Sequence, residues 1–190
     1  GQRGAPGLQP RRGECDEPGF EHWDSVFQRA AERGSRLVTP FADNGGAYGG
    51  MDRTARWSDT ASSHDDFYTD AETRRMYREF VEYVLTRENT LTGREYREEP
   101  TVAVWELANE PRVKNAGVAA LTGWIEEMSA LVKEYDSNHL VSTGMEGFYD
   151  GKEGESGWTY DGSQGTAYVD QHAIDTIDAC TFHLYPHHWN

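Results

Sequence analysis

The chain is 190 residues long and carries 33 acidic side chains against 18 Lys and Arg, for a formal net charge of -15. That length suffices for one domain with a real core, and the acidic surplus repels phosphate, so neither nucleic acid nor an anionic membrane is an expected partner. No run of about 18 apolar residues exists that could cross a bilayer.

In chain order, the N-terminal GQRGAPGLQP lacks the apolar centre of a signal peptide. Phe20, Trp23, Val26, Phe27, Ala30 and Ala31 recur at helical spacing, and Gly34 stands where a C-cap is expected, so residues 20–33 are predicted helical. Residues 36–42 form a short apolar strand, followed by a glycine-rich loop over residues 43–50. Asp70 can cap a second helix whose apolar face is Met76, Tyr77, Phe80, Val81, Val84 and Leu85. A strand over 101–109, a helix over 121–135 and a strand over 139–144 follow. Residues 148–165 read as a long polar loop, 168–177 as a short helix or turn, and 179–185 as a last strand that Pro186 stops. Helix and strand alternate throughout, which implies a parallel sheet with right-handed crossovers. Cys15 and Cys180 are too far apart in sequence for a disulfide to be inferred or excluded.

The strand TVAVWELANEPR is the most informative. Its apolar run reads as buried on both faces and ends in Asn109, Glu110, Pro111 and Arg112, where Pro111 cannot continue the ladder. The other strands also end in polar residues: Asp43 and Asn44, Glu146, then His183 and Tyr185. Four strands aiming their chemistry at one rim is the pattern of an α/β barrel, and no G-x-G-x-x-G or P-loop marks a nucleotide crevice. Glu110 is therefore a candidate general acid or base, with a helix-capping carboxylate as the plain alternative.

Glycoside hydrolysis needs two carboxyl groups, roughly 5 to 5.5 Å apart for retention. Glu106, four residues from Glu110 on one strand, is about 13 Å away and reads as a buried structural carboxylate. Glu146 follows the adjacent strand and is, from the residues alone, the leading nucleophile candidate; the alternative is a loop carboxylate that binds a hydroxyl or an arginine. His183 and Tyr185 lie on one strand face and can orient a carboxylate or a sugar hydroxyl. A metal site built on His183, His187 and His188 is disfavoured, because only His183 is on the strand and no H-E-x-x-H pattern accompanies it. His64, Asp65, Asp66 and Asp70 read as a solvated turn and helix cap. Tyr48, Trp57, Phe67, Tyr68, Phe148, Trp158 and Trp189 are expected near the rim, where sugar rings could stack.

The motifs VWELANEPR, YREEPTVAVW, DNGGAYGGM, SHDDFYTD, STGMEGFY and HLYPHHW together resemble the endo-β-1,4-mannanases of glycoside hydrolase family five, from Leu8 to Trp189. The resemblance implies a (β/α)8 barrel of which residues 1–190 form the central part, about strands three to six, with both ends of the barrel missing. It implies a secreted enzyme without cofactor that cleaves internal bonds of β-mannan with retention. Glu110 matches the acid/base, Asn109 the amide that contacts the neighbouring 2-hydroxyl, and His183 and Tyr185 an H-x-Y pair whose Tyr holds the nucleophile. Arg112 and Glu146 match binding positions on the leaving-group side. Many relatives carry Trp where this chain has Gly45. The nucleophile is expected on a later strand. Another β-1,4-glycanase such as a cellulase, or a non-catalytic carbohydrate-binding fragment, is the alternative.

Overall fold

A computed structural model describes residues 8–188, apart from the Tyr48 side chain; Trp189 lies outside the described residues. Helix α1 spans Glu17–Glu32, with Asp16 accepting from the Gly19 amide at its N-terminus, Pro18 in its first turn and Gly34 beyond its end at φ +67°. Strand β1 (Leu37–Pro40) leads through the glycine-rich loop into two short helices that periodicity did not announce, α2 (Met51–Trp57) and α3 (Asp66–Thr69). Both are too short to show a helical repeat in sequence. Asp70 then caps α4 (Ala71–Thr86) by accepting from the amides of Glu72 and Thr73. Strand β2 (Val102–Glu106), helix α5 (Val118–Tyr135), strand β3 (Leu140–Ser142) and helix α6 (Tyr168–His172) complete the order.

The strands form one parallel sheet in the order β1-β2-β3. With helices returning the chain between strands, this is an arc of a (β/α)8 barrel. Thr39, Trp105 and Val141 share a register row and are buried under the helices, where Trp105 donates its indole N–H to Asp136 and stacks on Phe41. The next row, Val38, Val104 and Leu140, points to the other face. There Val38 is 55% exposed and Leu140 48%, whereas the central strand β2 has no exposed residue on either face.

The expected fourth strand joins only at a single bridge, Ser142 to Ala179. The amide of Val141 is taken by the Asp178 carboxylate at 2.8 Å, and Gly144 and Gly147 adopt φ of +77° and +108°, which breaks the extended run that a ladder needs. Residues 179–185 still follow the sheet direction, since the His183 amide donates to the Glu146 carbonyl. Phe67 and Tyr68 are core residues rather than rim aromatics, packed edge-on against each other, with Tyr68 edge-on and Phe67 tilted against Trp124. Cys15 and Cys180 are both free thiols.

Candidate active site

Past the end of β2 the backbone keeps bonding to both neighbours. The amide of Asn109 donates to Ala42 on one side, and that of Glu110 donates to Gly144 on the other at 2.9 Å. Glu110 has φ +55°, the only non-glycine residue with positive φ among the described residues. A Glu gains nothing intrinsically from that conformation, so the surrounding bonds impose it. Gly144 accepts the close approach only because it lacks a Cβ, which would collide with the carbonyl oxygen of Ala108.

The result is a cluster on one rim. Glu110 Oε1 lies 2.7 Å from His183 Nδ1 and 3.4 Å from the Tyr185 hydroxyl. The negative charge of Glu110 pushes the Tyr185 phenol above its ordinary pKa, so it is held as a neutral donor. Asn109 donates its side-chain N–H to Asp43 at 3.0 Å, and the two residues form a parallel bridge. Arg112 makes a two-pronged pair with the buried Glu146 carboxylate, donates a further bond to Gln164, and lays its guanidinium 4.6 Å over the Phe148 ring. All six expected site residues thus occupy the same rim.

Glu106 sits deeper in the same groove, buried and 3.5 Å from the Ser142 hydroxyl. Burial pushes its carboxyl up, against smaller opposing effects of His183 and Ser142. The acidic segment after the glycine-rich loop differs from expectation. Asp70 and Asp66 do cap local turns, but Asp65 is buried and accepts the backbone amides of Lys114, Asn115 and Ala116. Burial opposes its ionisation, yet those three amides hold its carboxyl below the usual range. His64 is likewise engaged, with Nδ1 at 2.7 Å from Asp52 and Nε2 at 3.1 Å from Asn44 Oδ1.

Sequence reasoning passed over Asn44 as a contact of the Glu110 turn, and over Gln164 altogether. Asn44 could have been singled out, since it ends a strand beside Asp43 and stands before two glycines that let the loop fold back. Gln164 carries no local signal, because its partner Arg112 is 52 residues away.

A profile of the family described as GH family 5 beta-mannosidase-like matches residues 33–190. Among curated proteins, a mannan endo-1,4-beta-mannosidase of Arabidopsis thaliana is 36% identical over 96% of this chain and 44% of its own length. One from Solanum lycopersicum is 37% identical, with 96% and 45% covered. The chain therefore spans less than half the length of these relatives. Among solved structures, an endo-1,4-beta-D-mannanase from Thermotoga petrophila superposes with a TM-score of 0.89 at 37% identity, covering 96% of this chain and 55% of that one. An endo-1,4-beta-mannanase from Rhizomucor miehei gives 0.84 at 39% identity, with 90% and 50% covered. On the profile match and the shared identity, the chain belongs to the GH family 5 beta-mannosidase-like glycoside hydrolases.

Proposed function

We propose that this chain is the central part of a single catalytic barrel and that the full-length protein is a secreted, retaining endo-β-1,4-mannanase acting on β-mannan polysaccharides. The observation that carries this reading is Glu110, fixed by its neighbours at the barrel rim with Asn109 beside it and with His183 and Tyr185 on its carboxylate. In this reading Glu110 gives its proton to the departing glycosidic oxygen. It later takes one from the water that releases the glycosyl-enzyme. His183 holds the carboxylate in place between the two steps, Tyr185 beside it is placed to hold the nucleophile, and Asn109, anchored by Asp43, turns its amide to a sugar hydroxyl. Arg112 and Glu146 bind the leaving-group side, with Phe148 beneath the guanidinium.

The nucleophile is a carboxylate outside the described residues. Glu146 is committed to Arg112, and Glu106 is buried deeper on the strand, about 13 Å from Glu110, so neither stands free beside Glu110. The support for secretion and for the polysaccharide is the family resemblance.

The test is an NMR time course of mannan hydrolysis by the full-length protein. A β-configured first product is expected; an α-configured one, or no cleavage of mannan, overturns the reading. In Glu110→Gln, kcat/KM should fall by roughly 100-fold or more for substrates with poor leaving groups and far less for activated aryl mannosides.

A further inference from the structure

The turn that carries Glu110 is held from outside the set of residues so far assigned. Asn44 donates its backbone N–H to the Asn109 carbonyl at 3.0 Å, and its side-chain Oδ1 accepts the backbone N–H of Arg112 at 3.2 Å. One residue thus grips the chain immediately before and two residues after Glu110, across the segment where φ is +55°. The buried Tyr68 hydroxyl closes the same knot, accepting from the Arg112 amide at 3.1 Å and lying 3.4 Å from Asn44 Oδ1.

Which end of the Asn44 amide faces Arg112 decides whether this grip exists. A backbone amide can only donate, so the oxygen must point to it; a flipped Asn44 would set N–H against N–H. His64 enforces the choice. Its Nε2 lies 3.1 Å from Asn44 Oδ1 while its Nδ1 faces the Asp52 carboxylate at 2.7 Å, so the ring bridges the two acceptors. Asp52, near the start of α2, is in turn placed by Gly50, where any Cβ would collide with the carbonyl oxygens of Gly45 and Asp43. The chain of bonds runs Asp52 to His64 to Asn44 to the two flanks of Glu110.

We infer that Asn44 and His64 are positioning residues for the acid/base Glu110: His64, oriented by Asp52, fixes the amide of Asn44, which clamps residues 109 and 112 and so sets the direction of the Glu110 carboxyl. The inference rests on the acid/base reading of Glu110 given above. Neither side chain needs to touch the sugar. Losing the clamp lets the turn relax, and a displacement of about 1 Å of a catalytic group can cost on the order of 100-fold in rate.

The experiment compares His64→Ala, His64→Gln and Asp52→Asn in the full-length protein, with Glu110→Gln alongside. The substrates are two aryl β-mannobiosides, one with a dinitrophenyl leaving group and one with a plain phenyl group, and the readout is kcat/KM, which reports only the first chemical step. His64→Ala should lower kcat/KM for the phenyl substrate by roughly 10- to 100-fold, with little change for the dinitrophenyl one. His64→Gln, whose amide N–H can reach Asn44, should restore most of the loss. Asp52→Asn, at a side chain 40% exposed, should show a smaller loss with the same leaving-group dependence. Equal slowing of both substrates, or no slowing of either, overturns the inference. If Glu110→Gln itself lacks leaving-group dependence, the acid/base reading fails first and takes the inference with it.

Discussion

A methyl group added at residue 144 would collide with the Ala108 carbonyl, on a backbone already in the left-handed region at φ +77°. Gly144→Ala should therefore cost on the order of 3 kcal/mol and also displace the Glu110 amide that bonds to residue 144; thermal unfolding and activity of the full-length variant measure both. Glu146→Ala leaves a guanidinium without its carboxylate. It is expected to raise KM for polymeric mannan several-fold while leaving most of kcat, and a fluorinated mannoside should form no adduct at Glu146 in the wild type. A covalent label there would restore the nucleophile role that its place in sequence allowed. Glu110 and Asn109 were legible because an apolar run stopping at a proline says where a strand ends. The engagement of Glu146 with Arg112 was not derivable from spacing, since it depends on how a loop 34 residues later folds back.

Helices α1 and α4 are joined by a buried ionic knot that has no part in the chemistry. Arg87, just past α4, donates to Asp24 and Glu17 of α1 and to the Tyr96 hydroxyl, and Thr90 donates to Asp24 as well. Breaking it at one partner, as in Asp24→Ala, should destabilise by about 3 to 5 kcal/mol, because the buried guanidinium loses its nearest anion. Burial opposes ionisation of Asp24, yet bonds from Arg87, Tyr96 and Thr90 hold its carboxyl below the ordinary range. A depressed folded pKa means that this stabilisation is complete above the unfolded value of about 3.9 and is lost as pH falls through the folded one. Urea titrations of the full-length protein and Asp24→Asn should accordingly differ most near neutral pH and converge on acidification. The three long helices were readable from sequence because each buries a stripe at 3.6-residue spacing. The last strand was over-read: alternation and a terminal proline mark an extended segment, whereas a ladder also requires a partner whose amides are unclaimed.

Across the whole sheet, the face turned away from the helices is unfinished. Val38 and Leu140 are exposed on it, and Phe182 and Leu184 are exposed on the segment that follows the sheet direction. A parallel sheet is ordinarily covered on both faces, and unpaired strand edges invite association. The 190-residue chain by itself should therefore self-associate, as light scattering would show, and should not turn over soluble mannan; a well-behaved monomer with mannanase turnover would overturn both the barrel closure and the site. The open face also has a kinetic meaning. If the remaining length found in the relatives were supplied as a separate polypeptide, closure would be an encounter between two molecules. Activity should then return with a second-order dependence on their concentrations, slow when dilute and competed by the self-association of either piece. The same two polypeptides tethered by a linker should regain it at a rate indifferent to dilution.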